Sequence, residues 1–462
     1  MAVLRKLWGV ARAIFKTFRL SLPKIGVGWM FALLTINFNR ITIYELNVTA
    51  VAVTGMLALH YFLSPFQVIT GRLADRNPIL GLRRTPYLLF GSVMTSLVFL
   101  ALPSVAVAMG NGAGWGFPVG VLLFLVFGVF IAMMGDSHHS LIAEVIVPER
   151  RGSVISVVWT FTILSTIIAA GVMTAIMPEY NPQDMQRLYN LTPMIVIGAT
   201  FLGVLGMEPR LKGDELQASV ESAREVAPAG NPIKVAIGVL RDNRQAWGFF
   251  AFIFMSIFSI FLQDNILEPF GGEVFGMGLS KTNSFQPIWG GGVLLGMLGM
   301  GLITAFFVIS KRIIVLIGCI GTAIGMSGLA YAALTQQAAF ITPSLMFMGL
   351  FTGFFNVGAL SMMMDMTIEG ATGLFMGLWG MAQAFGNGAA SFGGGALHTG
   401  LIETGLLAPN VAYFAIFGIE AIGMTTAAAI MWHLSVTRFR DIHAEGLKRV
   451  DTIRAMEIGA VA

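Results

Sequence analysis

Charge is scarce in this chain of 462 residues: Asp, Glu, Lys and Arg make up 11% of it, where soluble domains carry about 25%. Cysteine is nearly absent. The single Cys319 excludes a disulfide framework and a Cys-x-x-Cys metal pair. There is no Gly-x-x-x-x-Gly-Lys phosphate loop and no nucleophile elbow followed by a suitable acid and base, so no enzyme signature stands. Segments of about ten alternating residues, which a transmembrane β-barrel needs, are missing too. What fills the chain instead is 56% hydrophobic residues with 55 glycines, 28 methionines and 36 phenylalanines. Its apolar runs reach about twenty residues, the length of a membrane-spanning helix. The composition therefore predicts an all-α polytopic membrane protein with closely packed helices.

The N-terminal stretch 1–24 carries Arg5, Lys6, Arg12, Lys16, Arg19 and Lys24 without an acid. Leu4, Leu7, Trp8, Ala11, Ile14, Phe15 and Phe18 fall at helical spacing. This predicts an amphipathic helix on an anionic leaflet rather than a cleaved signal. Twelve spans follow near 25–46, 49–70, 86–109, 117–146, 153–177, 190–208, 246–267, 284–309, 312–334, 341–364, 371–398 and 410–434. Nearly every Lys and Arg falls on one side of this arrangement, which by the positive-inside rule places both termini in the cytoplasm. The same one-sided distribution ties the net charge of +4 to the membrane, and no nucleic-acid partner is expected. A polar stretch at 209–245 divides the chain into six-span halves, 25–208 and 246–434, with a tail at 435–462. Two such halves are the architecture of the major facilitator fold. Glu144 before Gly152 and Asp365 before Gly373, each eight positions apart, echo one another at the ends of spans 4 and 10.

Gly71, Arg72, Asp75 and Arg76, with Arg83 and Arg84 further on, resemble the gate signature of major facilitator transporters. In that signature an acid caps a helix end and arginines tie neighbouring helices. The densest polar stretch is 263–277, at the exit of span 7, where Pro269 is expected to end a helix and Gly271-Gly272 to allow a tight turn. Arginine inside a span is costly and usually paired. Arg40 in span 1, with Asn39 and Glu45, therefore forms a candidate outer-side network with Gln263, Asp264 and Glu268 of span 7. Pairing of Arg40 within its own half is the alternative.

Span 4 contains Asp136, His138, His139 and Glu144. At helical spacing 136, 139 and 144 share a face and His138 points away. A proton relay, ligation of a metal-centred pigment by a neutral imidazole, and a plain interhelical hydrogen-bond cluster are all open. His60 and His398 are single histidines for which packing is the simpler role. In span 11, Gly386, Ala390 and Gly394 make a small-residue face suited to close packing, and Gln383 and Asn387 lie in the same span as candidate pigment or proton-site residues. No dedicated metal site is expected.

Taken together, Asn39-Arg40 with Glu45-Leu46, Gly71 to Arg84 with Thr85-Pro86-Tyr87, and the Gln-Asp-x-x-Leu-Glu-Pro-x-Gly-Gly-Glu-Val-Phe-Gly-Met pattern at 263–277 resemble the PucC and LhaA proteins. So do Gly373-Leu374, Gly377-Leu378-Trp379-Gly380 and Ala382-Gln383-Ala384. These form the bacteriochlorophyll-delivery branch of the major facilitator superfamily. The resemblance implies a light-harvesting assembly factor that hands bacteriochlorophyll, as cargo, to antenna polypeptides, with His60, His138 or His139 as the axial ligand to its magnesium. Antenna polypeptides, bacteriochlorophyll synthase and lipids are the partners it implies. A proton-coupled transporter using Asp136, Asp264 and Glu144, and a pigment-free escort, are the competing classes.

Overall fold

Backbone inside a bilayer can satisfy its hydrogen bonds along a single segment only by coiling into a helix, and the described residues contain no strand. The computed structural model describes residues 2–63, 66–225, 240–241, 243–307, 309–366 and 372–439. Among the described residues, ten helical segments are long and apolar enough to cross a membrane. A broken pass at 50–76 and the helix Thr372–His398 supply two more. Spans 1 and 2 are thus 23–45 and 50–76. Spans 3–6 are Thr85–Gly110, Gly116–Val145, Pro148–Ile176 and Pro182–Val204. Spans 7–12 are Arg244–Phe261, Phe285–Phe306, Lys311–Thr335, Ile341–Asp365, Thr372–His398 and Pro409–His433. Proline in the first turn starts many of them, since its missing N–H has no partner there in any case.

Each half has its own apolar core, and glycine sets how closely the helices approach. A Cβ on Gly292 would stand 2.7 Å from the Met346 carbonyl of span 10, and one on Gly128 of span 4 would stand 2.9 Å from the His60 backbone. The small face of span 11 is a packing face. Gly386 abuts Phe254 and Ile257 of span 7, and Ala390 is fully buried.

The halves meet along span 2 against span 11 and span 5 against span 8. Among the described residues, the hydrogen bonds given below that join them lie at the end of the bundle away from the Arg83-Arg84 loop. Asn39 donates to the Asn265 carbonyl at 2.9 Å, Ser391 to the Thr54 carbonyl at 3.1 Å and Asn283 to Thr174 at 3.3 Å. Below, the end bearing Arg83-Arg84 is called the basic end and the other the far end. The bundle is latched at the far end.

The structure corrects four sequence expectations. Span 7 ends at Phe261, and Pro269 lies in the first turn of a separate helix, Leu267–Phe275, which closes on the left-handed Gly276 (φ 62). Gly271 and Gly272 are inside that helix, where they admit Thr282 and Phe285 on one side and Arg40 and Tyr44 on the other. The basic face of the N-terminal helix Ala2–Ser21 is not all turned to lipid. Lys16 donates to the Val145 carbonyl at 2.6 Å, and Arg19 donates to the carbonyls of Leu202 and Leu205. These are the unpaired ends of spans 4 and 6, where a cation is favoured. Lys24 belongs to span 1 and points into the bundle.

Candidate functional site

A cavity of about 200 Å³ opens inside the first half, between spans 1 to 5. His60, His138 and His139, separated by up to 79 positions in sequence, all line it, with Lys24, Tyr61 and Trp159. The broken span 2 brings His60 there. Its ring is packed between Phe31, Tyr61 and Phe127, with centroids 5.4, 3.8 and 5.5 Å away. Its Nδ1 lies 2.5 Å from the Leu57 carbonyl. A carbonyl only accepts, so Nδ1 carries the proton and Nε2 keeps its lone pair. That Nε2 is buried and has no hydrogen-bond partner. His138 has the opposite tautomer: Nε2–H donates to the Leu20 carbonyl at 2.7 Å, which leaves Nδ1 without a partner. His139 is exposed at the cavity.

Asp136 and Glu144 do not share this site. A Cβ on Gly71 would meet the Asp136 carboxylate, and Glu144 accepts from Arg84 Nε at 2.9 Å and pairs with Arg83 at 3.3 Å. Arg84 also holds Asp75 at 2.5 Å. The helical-face grouping of span 4 is therefore corrected: residues 136 and 144 serve the basic-end network, while 138 and 139 serve the cavity. Consecutive residues reach one cavity because it is wide enough to span about 100° of helix surface.

The gate motif assembles within one half. Asp75 binds Arg84 rather than capping a helix. The capping acid is Glu208, absent from the sequence expectation, which accepts the backbone N–H groups of Arg83, Arg84 and Thr85 at 2.6, 2.9 and 2.7 Å. A Glu-Pro pair directly after an apolar run is the signal that could have found it. Arg76 is exposed, and the Arg72 side chain lies outside the described residues. In the second half Lys311 pairs with Asp365 at 2.8 Å, in the positions equivalent to Arg84 and Glu144.

At the far end Arg40 is almost wholly buried. It pairs with Glu45 at 3.1 Å, lies 3.8 Å from the Tyr44 ring and reaches across to the Met277 carbonyl at 3.3 Å. The direct partner of Asp264 is Gln286 at 3.0 Å, and Gln263 donates to the Met348 sulfur. Glu268 is fully buried beside this group, with neither carboxylate oxygen hydrogen-bonded. π-helical turns at Leu33–Phe38 and Ile41–Glu45 bracket Asn39 and Arg40; such turns recur at functional sites.

His398 is not a lone packed histidine. It contacts both Glu273 oxygens at 2.9 Å and lies 3.4 Å from Glu403. Tyr413 donates to Glu273 at 3.0 Å. Gln383 and Asn387 are half-buried in span 11 and do not line the histidine cavity. Gln383 reaches the Met363 sulfur, and Asn387 donates to the Gln383 carbonyl. Among the described residues no three His, Cys, Asp or Glu side chains are placed to hold a metal ion by themselves.

Twelve passes in two six-helix halves, joined at one end and each carrying an ion pair at the other, define a multi-pass membrane protein of the major facilitator fold. Solved structures agree on that fold. A D-xylose–proton symporter superposes with a TM-score of 0.68 at 16% identity, over 92% of this chain and 99% of that one. The nucleoside transporter NupG gives 0.66 at 12%, over 90% and 99%. The model of the PUCC protein family matches residues 37–439, and the chain belongs to that family. It is 31% identical to the "Bacteriochlorophyll synthase 44.5 kDa chain" of Rhodobacter capsulatus over 95% of this chain and 98% of that protein. It is 26% identical to Protein PucC of Cereibacter sphaeroides over 88% and 89%.

Proposed function

We propose that the protein is an assembly factor of the photosynthetic membrane that holds bacteriochlorophyll and passes it to antenna polypeptides. The observation that carries this reading is His60: an imidazole on the wall of a largely apolar cavity, whose Nδ1–H is held by the Leu57 carbonyl and whose buried Nε2 has no hydrogen-bond partner. That is the chemistry an axial ligand to magnesium requires. His138 Nδ1 and His139 are further nitrogen donors in the same wall. At about 200 Å³ the cavity is smaller than the ~300–1,000 Å³ of a site enclosing a drug-sized ligand. A whole macrocycle therefore reaches His60 only where the spans around the cavity part, with the isoprenoid tail among the spans or in lipid. The names of the relatives, one a bacteriochlorophyll synthase chain and others PucC, support the pigment class. No nucleophile, acid and base meet in the cavity, so the role proposed is carriage rather than synthesis.

By the positive-inside rule the basic end faces the cytoplasm of the bacterial inner membrane. The far-end latch then closes the periplasmic side, and the halves part toward the cytoplasm. Purification from pigment-making membranes tests the reading. Bacteriochlorophyll in the purified protein, together with antenna polypeptides, supports it; antenna polypeptides without pigment support a pigment-free escort.

A second reading rests on Glu268 and Glu420, both fully buried with no hydrogen bond to either oxygen. Buried carboxylates of this kind are retained in proton-coupled transporters. Solute-dependent proton uptake into vesicles, lost in Glu268→Gln, is the result that favours it.

A further inference from the structure

We propose that the first-half cavity, at the size it has in this structure, binds an aliphatic carboxylate, with the anionic head on Lys24 and the chain against the apolar wall. The proposal does not depend on the pigment-holding reading. It asks nothing of the buried ring nitrogens of His60 and His138.

Lys24 is 7% exposed, and its ammonium lies 5.2 Å from the centre of the Trp159 ring. It lines the cavity, and none of the lining residues is an acid. Asp136, two residues before His138 on the same helix, is turned to Gly71 at the basic end. Among the described residues, no acid pairs with Lys24. A buried ammonium is costly unless a counter-charge meets it, and the face of an aromatic ring offsets only part of that cost. A lysine at the start of a span usually escapes by extending into water. This one is turned inward, over Trp159 of span 5 and into the wall it shares with His138 and His139 of span 4. What the cavity lacks is one negative charge.

The rest of the lining fixes the class of ligand. Val27, Phe31, Ile131 and Met134 make an apolar wall, and no Ser, Thr, Asn, Gln or Arg is among the lining residues. A polyhydroxylated ligand would leave its hydroxyls unpaired there. A phosphate would call for a guanidinium fork or a bundle of backbone N–H groups, and the lining side chains supply no such fork. A single ammonium beside hydrocarbon matches a monoanion with an apolar body. At about 30 Å³ for each water-sized group, the cavity of about 200 Å³ takes on the order of seven non-hydrogen atoms. That is the size of a five- or six-carbon acid. A longer chain places its end outside the lining.

The test is equilibrium dialysis of labelled butyrate, hexanoate, octanoate and palmitate, and of the matching alcohols, against lipid nanodiscs holding the full-length protein. Uptake by empty nanodiscs is subtracted. Hexanoate is expected to bind at least tenfold more tightly than hexanol. From butyrate to hexanoate the affinity should rise about fourfold per methylene, and it should level off once the cavity is full. Lys24→Met should bring the acid to the affinity of the alcohol, and Lys24→Arg should keep the preference. Ala132→Leu narrows the cavity without touching the cation and should move the levelling-off to a shorter acid. A carboxyl head is common to soluble short acids and to fatty acids of the bilayer. Palmitate bound as well as hexanoate supports the site and assigns it to the bilayer; hexanoate without palmitate supports it and assigns it to soluble acids. Equal binding of acid and alcohol to the unmodified protein overturns the proposal, even where a variant fails to fold. So does an acid preference that survives Lys24→Met, or a chain-length series that only follows uptake by empty nanodiscs.

Discussion

The Glu403 carboxylate of the second half accepts the backbone N–H of Ala50, the first residue of span 2 in the other half, at 2.7 Å. Beside it Thr399 accepts the N–H of Val51 at 3.0 Å. A residue of one bundle thus caps a helix of the other, where negative charge is favoured by the helix dipole. The cap is also the latch. A hydrogen bond to a charged group contributes about 1.5–3 kcal/mol, enough to shift a two-state equilibrium tenfold or more. With Cys319→Ser as background, spin labels at Asn111 and Gln337, on opposite halves at the far end, read the gap between them. Glu403→Ala should add a longer-distance population; an unchanged distance distribution removes the latch.

Arg40 is predicted to be structural at this seam. Its removal leaves Glu45 and the Met277 carbonyl without their partner, and breaking a buried pair costs about 3–5 kcal/mol. Arg40→Met should lower thermal stability in detergent strongly, and Glu45→Gln less, because Glu45 is partly exposed. Asp264 is held by Gln286, so Arg40→Asp should not be rescued by Asp264→Arg. Full rescue by that exchange contradicts the geometry.

Glu208 is predicted to hold the basic-end loop. Its two oxygens satisfy three successive N–H groups, so Glu208→Ala should cost about 2 kcal/mol, the upper end for a lost cap. Faster hydrogen exchange at residues 83–85 is the measurement. Protection equal to that of the unmodified protein excludes the cap.

Gly395 lies where span 11 crosses span 2. A Cβ there would stand 2.8 Å from the Ala50 carbonyl and collide with Thr54. Gly395→Val should force the halves apart at the far end and give the same long distances as Glu403→Ala. A stable protein with the original spacing would show that the seam can yield.

Much of this arrangement was legible in the sequence, because long apolar runs and one-sided basic residues report directly on membrane passage. The polar stretch at 263–277 was recognisable for the same reason: carboxylates at the end of an apolar run stand out. Which groups pair was not legible. The π-helical turns on either side of Arg40 shift the helical phase in a way that a reading at 3.6 residues per turn does not show. Pro269 and Gly271-Gly272 suggested a break, yet a proline in a first turn and glycines beneath Arg40 fit a helix equally well. Lys24 read as one more basic residue of an interfacial helix, since only the fold shows it turning inward. The histidines were visible singly. Their convergence depends on the close approach of spans 2 and 4 at Gly128, which no local pattern encodes.

The central claim is that His60 Nε2 ligates the magnesium of a bacteriochlorophyll. Resonance Raman spectra of the protein purified from pigment-containing membranes test it most directly, comparing the unmodified chain with His60→Leu. The account predicts a five-coordinate magnesium macrocycle in the first, and loss of pigment from a still-folded protein in the second. Pigment retained in His60→Leu with the same coordination signature would contradict it.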